Sequence, residues 1–152
     1  MKRQAVGYGS WLWLMLMAAA LMSLGAAARA AELGPAKHKV VIQVSTDNAR
    51  TQKIALNNAA NVQAEYGVDN VDVEVVAYGP GLSLLTDKSG QAKRVESMAM
   101  QGVRFSACHN TMEGIKRKTG HMPVLLKGVK VVPAGVGRIM ELEEQGYAYI
   151  RP

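Results

Sequence analysis

The sequence holds one cysteine, Cys108, so no disulfide can close within the chain. Its two tryptophans, Trp11 and Trp13, both lie near the start, and the remainder has none. Neither G-x-x-x-x-G-K-[ST] nor G-x-G-x-x-G occurs, so no nucleotide is implied. There is no internal repeat and, past the N-terminal segment, no low-complexity tract. The apolar run Trp11–Leu24 is about 14 residues long, short of the ~20 that span a bilayer comfortably as a helix. The 152 residues suffice for one domain and not comfortably for two.

What is present at the start of the chain is a graded leader. Lys2 and Arg3 give a positive beginning, the apolar run follows, and Ala28-Arg29-Ala30 fits the A-x-A cleavage pattern. These are the three parts of a secretory signal, so residues 1–30 are expected to be removed on export, leaving a periplasmic or secreted protein. No Arg-Arg pair precedes the apolar run, which favours the general secretory route over the twin-arginine one. No cysteine lies near the cleavage site, so a lipoprotein anchor has no attachment residue, and no membrane anchor is expected after cleavage. Residues 31–38 read as a polar leader and 39–152 as the folded domain. At about 120 residues the mature chain is large enough to bury a core without staples.

Cleavage also changes the charge. Lys2, Arg3 and Arg29 leave and no acidic residue does, so the formal charge of +6 falls to about +3. An excess of that size aids solubility and does not imply nucleic acid. The tight basic run Lys116-Arg117-Lys118 has few aromatics beside it and reads as a solvated helix face.

The domain alternates between two hydrophobic periods. Residues 39–44 read as a buried strand. A helix runs from about Asn48 to Tyr66, capped by Asp47 or Asn48 and ended by Gly67, with Ala55, Ala59, Val62 and Tyr66 on one face. Residues 71–78, VDVEVVAY, form a β-branched second strand broken by Gly79-Pro80-Gly81. A short helical turn at 82–85 and a loop at 87–90 lead to a helix over 91–101, whose inner side carries Val95, Met98 and Ala99. A third strand, 103–107, runs into Cys108. A helix then begins at Asn110, with Asn110 and Glu113 as a capping-box pair. Residues 120–128 give no clear signal. A fourth strand at 129–132 stops at Pro133, a last helix carries Val136, Ile139 and Met140, and a short strand closes at 147–150. This order predicts an α/β domain with a mainly parallel sheet of about five strands and helices on both faces.

In open parallel sheets ligands sit beyond the carboxyl ends of the strands. Two segments fall there: Gly79-Pro80-Gly81, whose glycines permit close backbone approach or simply make a turn, and Cys108-His109-Asn110. Cys108 precedes a helix N-terminus, where unpaired N–H groups and the helix dipole favour a thiolate. His109 beside it can add positive charge or take a proton. The same cysteine can equally be a buried, inert packing residue. A Cys/His protease pair lacks a third member and a facing geometry. Soft ligands gather in sequence at Cys108, His109, Met112, His121 and Met122, but at no zinc-like spacing, and no metal site is assigned. Asn57, Asn58 and Asn61 are weak helix formers on the first helix, suited to hydrogen bonding or to a plain polar face.

Three stretches carry a likeness to a known family: 71–78 followed by Gly79-Pro80-Gly81-Leu82, the segment Gly102 to Thr111 (GVRFSACHNT), and Val131-Val132-Pro133-Ala134-Gly135-Val136 with Gly146-Tyr147-Ala148-Tyr149-Ile150. On these the chain resembles the DsrE/DsrF-like family, in particular an exported branch, over nearly all of residues 39–152. The resemblance implies a three-layer α/β/α fold, often in homo-oligomers. It also implies persulfide chemistry, because sulfur-relay members carry sulfur on a cysteine at the end of the third strand, where Cys108 stands. Relay members work in the cytoplasm with dedicated partners, whereas this leader predicts export. The expectation is therefore an exported carrier or transferase of sulfane sulfur. Cys108 would be the reactive residue, with Gly79, Gly81, His109 and Asn110 around the substrate, no cofactor, and a sulfur donor or acceptor thiol as partner. The alternative is a non-enzymatic oligomeric module binding a small ligand or soft metal near Cys108.

Overall fold

In the computed structural model, residues 38–152 are described; the expected signal at 1–30 and the leader as far as residue 37 lie outside the described residues. Five strands form one sheet, all parallel, in the order β4-β3-β2-β1-β5: β1 (His38–Val44), β2 (Val71–Ala77), β3 (Arg104–Cys108), β4 (Val129–Val132) and β5 (Ala148–Ile150). The connecting helices are α1 (Ala49–Tyr66), a 3-10 helix (Gly79–Leu85), α2 (Ala92–Met100), α3 (His109–Thr119) and α4 (Gly135–Glu144).

Local chemistry accounts for most element ends. Asn48 caps α1 by accepting the Thr51 N–H at 3.0 Å, and Gly67 ends it. Inside α1, Asn57 accepts from Arg94 of α2 at 2.8 Å, tying two neighbouring helices. At α3 the expected start moves by one residue. Cys108 itself is the N-cap, the helix begins at His109, and no side-chain capping bond forms, so Asn110 and Glu113 do not make a capping box. Strand β3 pairs with β4 through Cys108↔Val132, and this pairing holds Cys108 extended until the helix begins.

The order of strands divides the helices unequally. From β1 to β4 the chain steps one way along the sheet, and right-handed crossovers place every connecting helix on one face. There Val40, Ile42, Val44, Val73, Val75 and Phe105 pack under Ala55, Leu56 and Ala59 of α1, Leu82, Leu84 and Leu85 of the 3-10 helix, and Val95 and Met98 of α2. After β4 the chain returns across the whole sheet to pair β5 with β1, and α4 lies on the opposite face, over Val41 and Val76 with Ile139, Leu142 and Tyr147. The result is the three-layer α/β/α fold. Because α3 leaves β3 on one side and α4 leaves β4 on the other, the crevice where chain directions part lies beyond the carboxyl ends of β3 and β4. That is where this class of sheet binds ligands.

The segment 120–128, which gave no clear signal in sequence, is an extended arm. It lies against the exit of the 3-10 helix through the Thr86↔Leu125 bridge and the bonds Asp87 N–H to Val124 O and Leu126 N–H to Leu85 O, each 3.0 Å. Its sequence, GHMPVLLKG, holds Pro123 and lacks the alternation of a paired strand.

Candidate functional site

Cys108 stands at the parting of the chain. Side chains alternate along a strand, so Cys108 shares its face with Arg104 and Ser106 and points towards the α4 side. Only 5% of its surface is exposed. Four groups from two helix N-termini act on the sulfur: the Thr111 hydroxyl and the backbone N–H groups of Thr111, Gly135 and Asn110. Burial pushes the thiol up, and these donors together outweigh it, so Cys108 is held below the usual thiol range. The start of α3 supplies two of the N–H groups and the start of α4 the third, so the sulfur lies where two helix dipoles present their positive ends.

Thr111 connects this site to the loop after β2. Its Oγ1 accepts the Gly79 N–H at 2.9 Å, leaving the hydroxyl proton to serve the sulfur. Gly79 takes φ of +53°, the left-handed conformation that turns its N–H towards Thr111. At Gly81 a Cβ would stand 2.1 Å from the Val44 carbonyl oxygen, so Gly81 seats the 3-10 helix against the end of β1. The close approach that Gly81 permits is therefore to neighbouring backbone. Gly135 is similarly confined, since a Cβ would come within 2.9 Å of the Tyr78 side chain.

His109 is exposed, and its Nε2 lies 3.9 Å from Glu113 Oε1, one helical turn on. Its charged contact is with Glu113 and not with Cys108. Asn110 is exposed too. Its contribution is its backbone N–H, which also donates to the Pro133 carbonyl at 3.3 Å. Among the described residues no three His, Cys, Asp or Glu side chains come together as a metal set. Met112 is buried in the core, and the His121 ring meets the Thr119 carbonyl at 3.0 Å.

The position of α4, and with it the Gly135 N–H, rests on a buried ionic network. Arg138, in the first turn of α4, grips Glu74 of β2 with two bonds, Nε–Oε1 at 2.8 Å and Nη2–Oε2 at 2.9 Å. Glu74 is 1% exposed. It also accepts from the Ser106 hydroxyl at 2.7 Å and from Arg104 Nε at 2.9 Å. Arg104 reaches on to Asp72 at 2.8 Å and to the Tyr147 hydroxyl at 2.7 Å, and Tyr147 closes the ring on Asp72. Burial pushes the Glu74 carboxyl up, but its bonds to Arg138 and Ser106 and the charges of Arg138 and Arg104 hold it below its ordinary value.

On the other side of Thr111 opens a cleft of about 880 Å³ between the 3-10 helix, α3 and the extended arm. Gly79 and Thr111 line it, Pro80, Ile115 and Met122 give apolar wall, and Lys88, Lys118 and His121 line it as exposed side chains. Thr111 and Gly135 stand in the sequence only as members of the family-like stretches, with no sign of a role at the cysteine; their convergence on Cys108 depends on strand order.

Comparison with known proteins agrees with this architecture. The DsrE/DsrF-like family matches residues 38–152. A solved structure of a protein of unknown function from Methanobacterium thermoautotrophicum is similar at 36% identity and a TM-score of 0.68, over 76% of this chain and 99% of that one. No curated protein matches.

Proposed function

The chain belongs to the DsrE/DsrF-like family, and from that premise we propose that it carries or transfers sulfane sulfur as a persulfide on Cys108. The observation that carries the reading is the place of Cys108, at the end of β3 and as the N-cap of α3, with its thiol held below the usual range by Thr111 and by the backbone N–H groups of Thr111, Gly135 and Asn110. That arrangement favours a thiolate, the species that performs sulfur exchange.

The chemistry proceeds in two displacements. The Cys108 thiolate attacks the outer sulfur of a donor R–S–SH. The donor S–S bond breaks, R–S⁻ leaves, and Cys108–S–SH forms. An acceptor thiolate R′–S⁻ then attacks the outer sulfur of Cys108–S–SH. It departs as R′–S–SH, and Cys108 returns as the thiolate, held by the same N–H groups that stabilised it at the start.

Leader residues 1–30 support an exported, periplasmic or secreted site of action. The family resemblance and the exposed Val136 and Met140 on α4 support a homo-oligomer, which light scattering on the mature protein tests. One observation favours a second reading. A cysteine only 5% exposed suits a non-enzymatic module that binds a small ligand or soft metal beside it.

Intact mass of the mature protein before and after polysulfide treatment separates the two. Carrier function predicts one or more added sulfur atoms, removed by a reducing thiol and absent in Cys108→Ser. Unchanged mass in the folded wild type, or equal loading of Cys108→Ser, contradicts it.

A further inference from the structure

The cleft beyond Thr111 has no part in the displacement chemistry, and Cys108 does not line it, but Thr111 lines it and also acts on the sulfur. We propose that it binds the non-reacting body of an organic, anionic low-molecular-weight thiol or its persulfide, the donor or acceptor of the exchange; this rests on the reading of Cys108 as the sulfur carrier. Size decides against an inorganic partner as the intended occupant. At about 880 Å³ the cleft is in the range that holds ligands of some tens of atoms, far beyond hydrosulfide or a short polysulfide.

Its chemistry is mixed. Pro80, Ile115, Met122 and Val124 offer apolar surface, while Lys88 and Lys118 line it as exposed side chains. Among the described residues neither lysine is engaged in an ion pair. The Asp87 carboxylate lines the cleft too, so the balance of formal charge is one positive unit. Such a lining attracts an anionic end group and leaves the apolar wall to a carbon chain. The half-buried Gly79 and Thr111, joined by their hydrogen bond, line the same cleft, and Thr111 also acts on Cys108. A thiol-bearing molecule held by the lysines thus shares the cleft with Thr111, the group that acts on the sulfur.

Two disulfides probe this on the full mature protein: glutathione disulfide, long and anionic, and hydroxyethyl disulfide, short and neutral. Mixed-disulfide formation at Cys108 is followed by intact mass. Lys88→Ala with Lys118→Ala is expected to slow glutathione disulfide by about three- to tenfold at low salt and to leave hydroxyethyl disulfide unchanged, the loss shrinking as salt rises. Gly114→Leu fills the cleft from α3. A Cβ at Gly114 meets only the Arg117 side chain, at 3.7 Å, and leucine is the better helix former, so the fold is retained. This variant too is expected to slow the long disulfide more than the short one. Equal effects on both disulfides overturn the cleft assignment while leaving Cys108 as a carrier.

Calorimetry with S-methylglutathione on the Cys108→Ser protein gives a readout that needs no thiol. Binding lost on Lys88→Ala with Lys118→Ala supports the cleft even where Cys108 reacts with neither disulfide, an outcome that removes the carrier reading instead. No binding, or binding indifferent to the lysines and to Gly114→Leu, rules the cleft out for this class of ligand.

Discussion

At the scale of single residues, position within the strand-to-helix junction made Cys108 conspicuous in the sequence, but its surroundings were not. Its neighbour His109 was the natural candidate to tune it, and the helix turns that ring out to Glu113. The donors that do act come from Thr111 and Gly135, three and 27 residues away, together with the Asn110 backbone. Sequence carries no direct sign of a hydroxyl that accepts from Gly79 and serves a sulfur at once. Thr111→Val keeps the shape and removes the hydroxyl. The expected result is an upward move of the Cys108 titration midpoint and slower alkylation near neutral pH, read from the pH dependence of iodoacetamide labelling. An unchanged midpoint assigns the lowered thiol to the backbone N–H groups alone. Gly81 makes the opposite point. The sequence offers it only as a glycine that permits close backbone approach, and the partner in that approach is the Val44 carbonyl, which occupies the place a Cβ needs. Gly81→Ala is expected to lower stability by about 3 kcal/mol or more, the upper end for forced overpacking, measured by urea unfolding.

Elements were legible to differing degrees. Strands β1 to β3 and helices α1 and α2 emerge from hydrophobic period, because each has a buried face with a continuous apolar series. The arm at 120–128 does not, since it pairs through one isolated bridge and a few backbone bonds. Helix α4 was visible as a helix, but what fixes it was hidden. Asp72 and Glu74 alternate on β2 like any half-exposed pair, and only the register Glu74↔Arg104 and the return of α4 over the sheet bring the charges together. Glu74→Ala leaves Arg104 and Arg138 without their shared carboxylate and is expected to cost about 3–5 kcal/mol in denaturant unfolding. Glu74 is held below its unfolded value of about 4.3, so its contribution is complete above that pH and is lost as pH falls through the lowered folded value. Stability of the wild type should therefore fall on acidification into that range, and Glu74→Gln should flatten this part of the profile. If Arg138 also positions α4 for the thiolate, Arg138→Lys, which keeps the charge and loses the two-pronged grip, raises the Cys108 midpoint while largely preserving the fold.

For the whole molecule, the βα alternation was sufficient to give the α/β class and a parallel sheet. It was not sufficient to give the order of strands. That order is what separates α3 from α4 across the sheet and makes one end of β3 and β4 a meeting point for two helix dipoles. The choice of a site at Cys108 came from local sequence; the reason the site is poised comes from topology. The native pH profile of Cys108 alkylation, compared with the same cysteine in the urea-unfolded chain, tests that account most directly. The account predicts labelling of the folded protein without global unfolding, with a midpoint below that of the unfolded thiol. Labelling only at the rate of global unfolding, or a midpoint at or above the unfolded one, contradicts it.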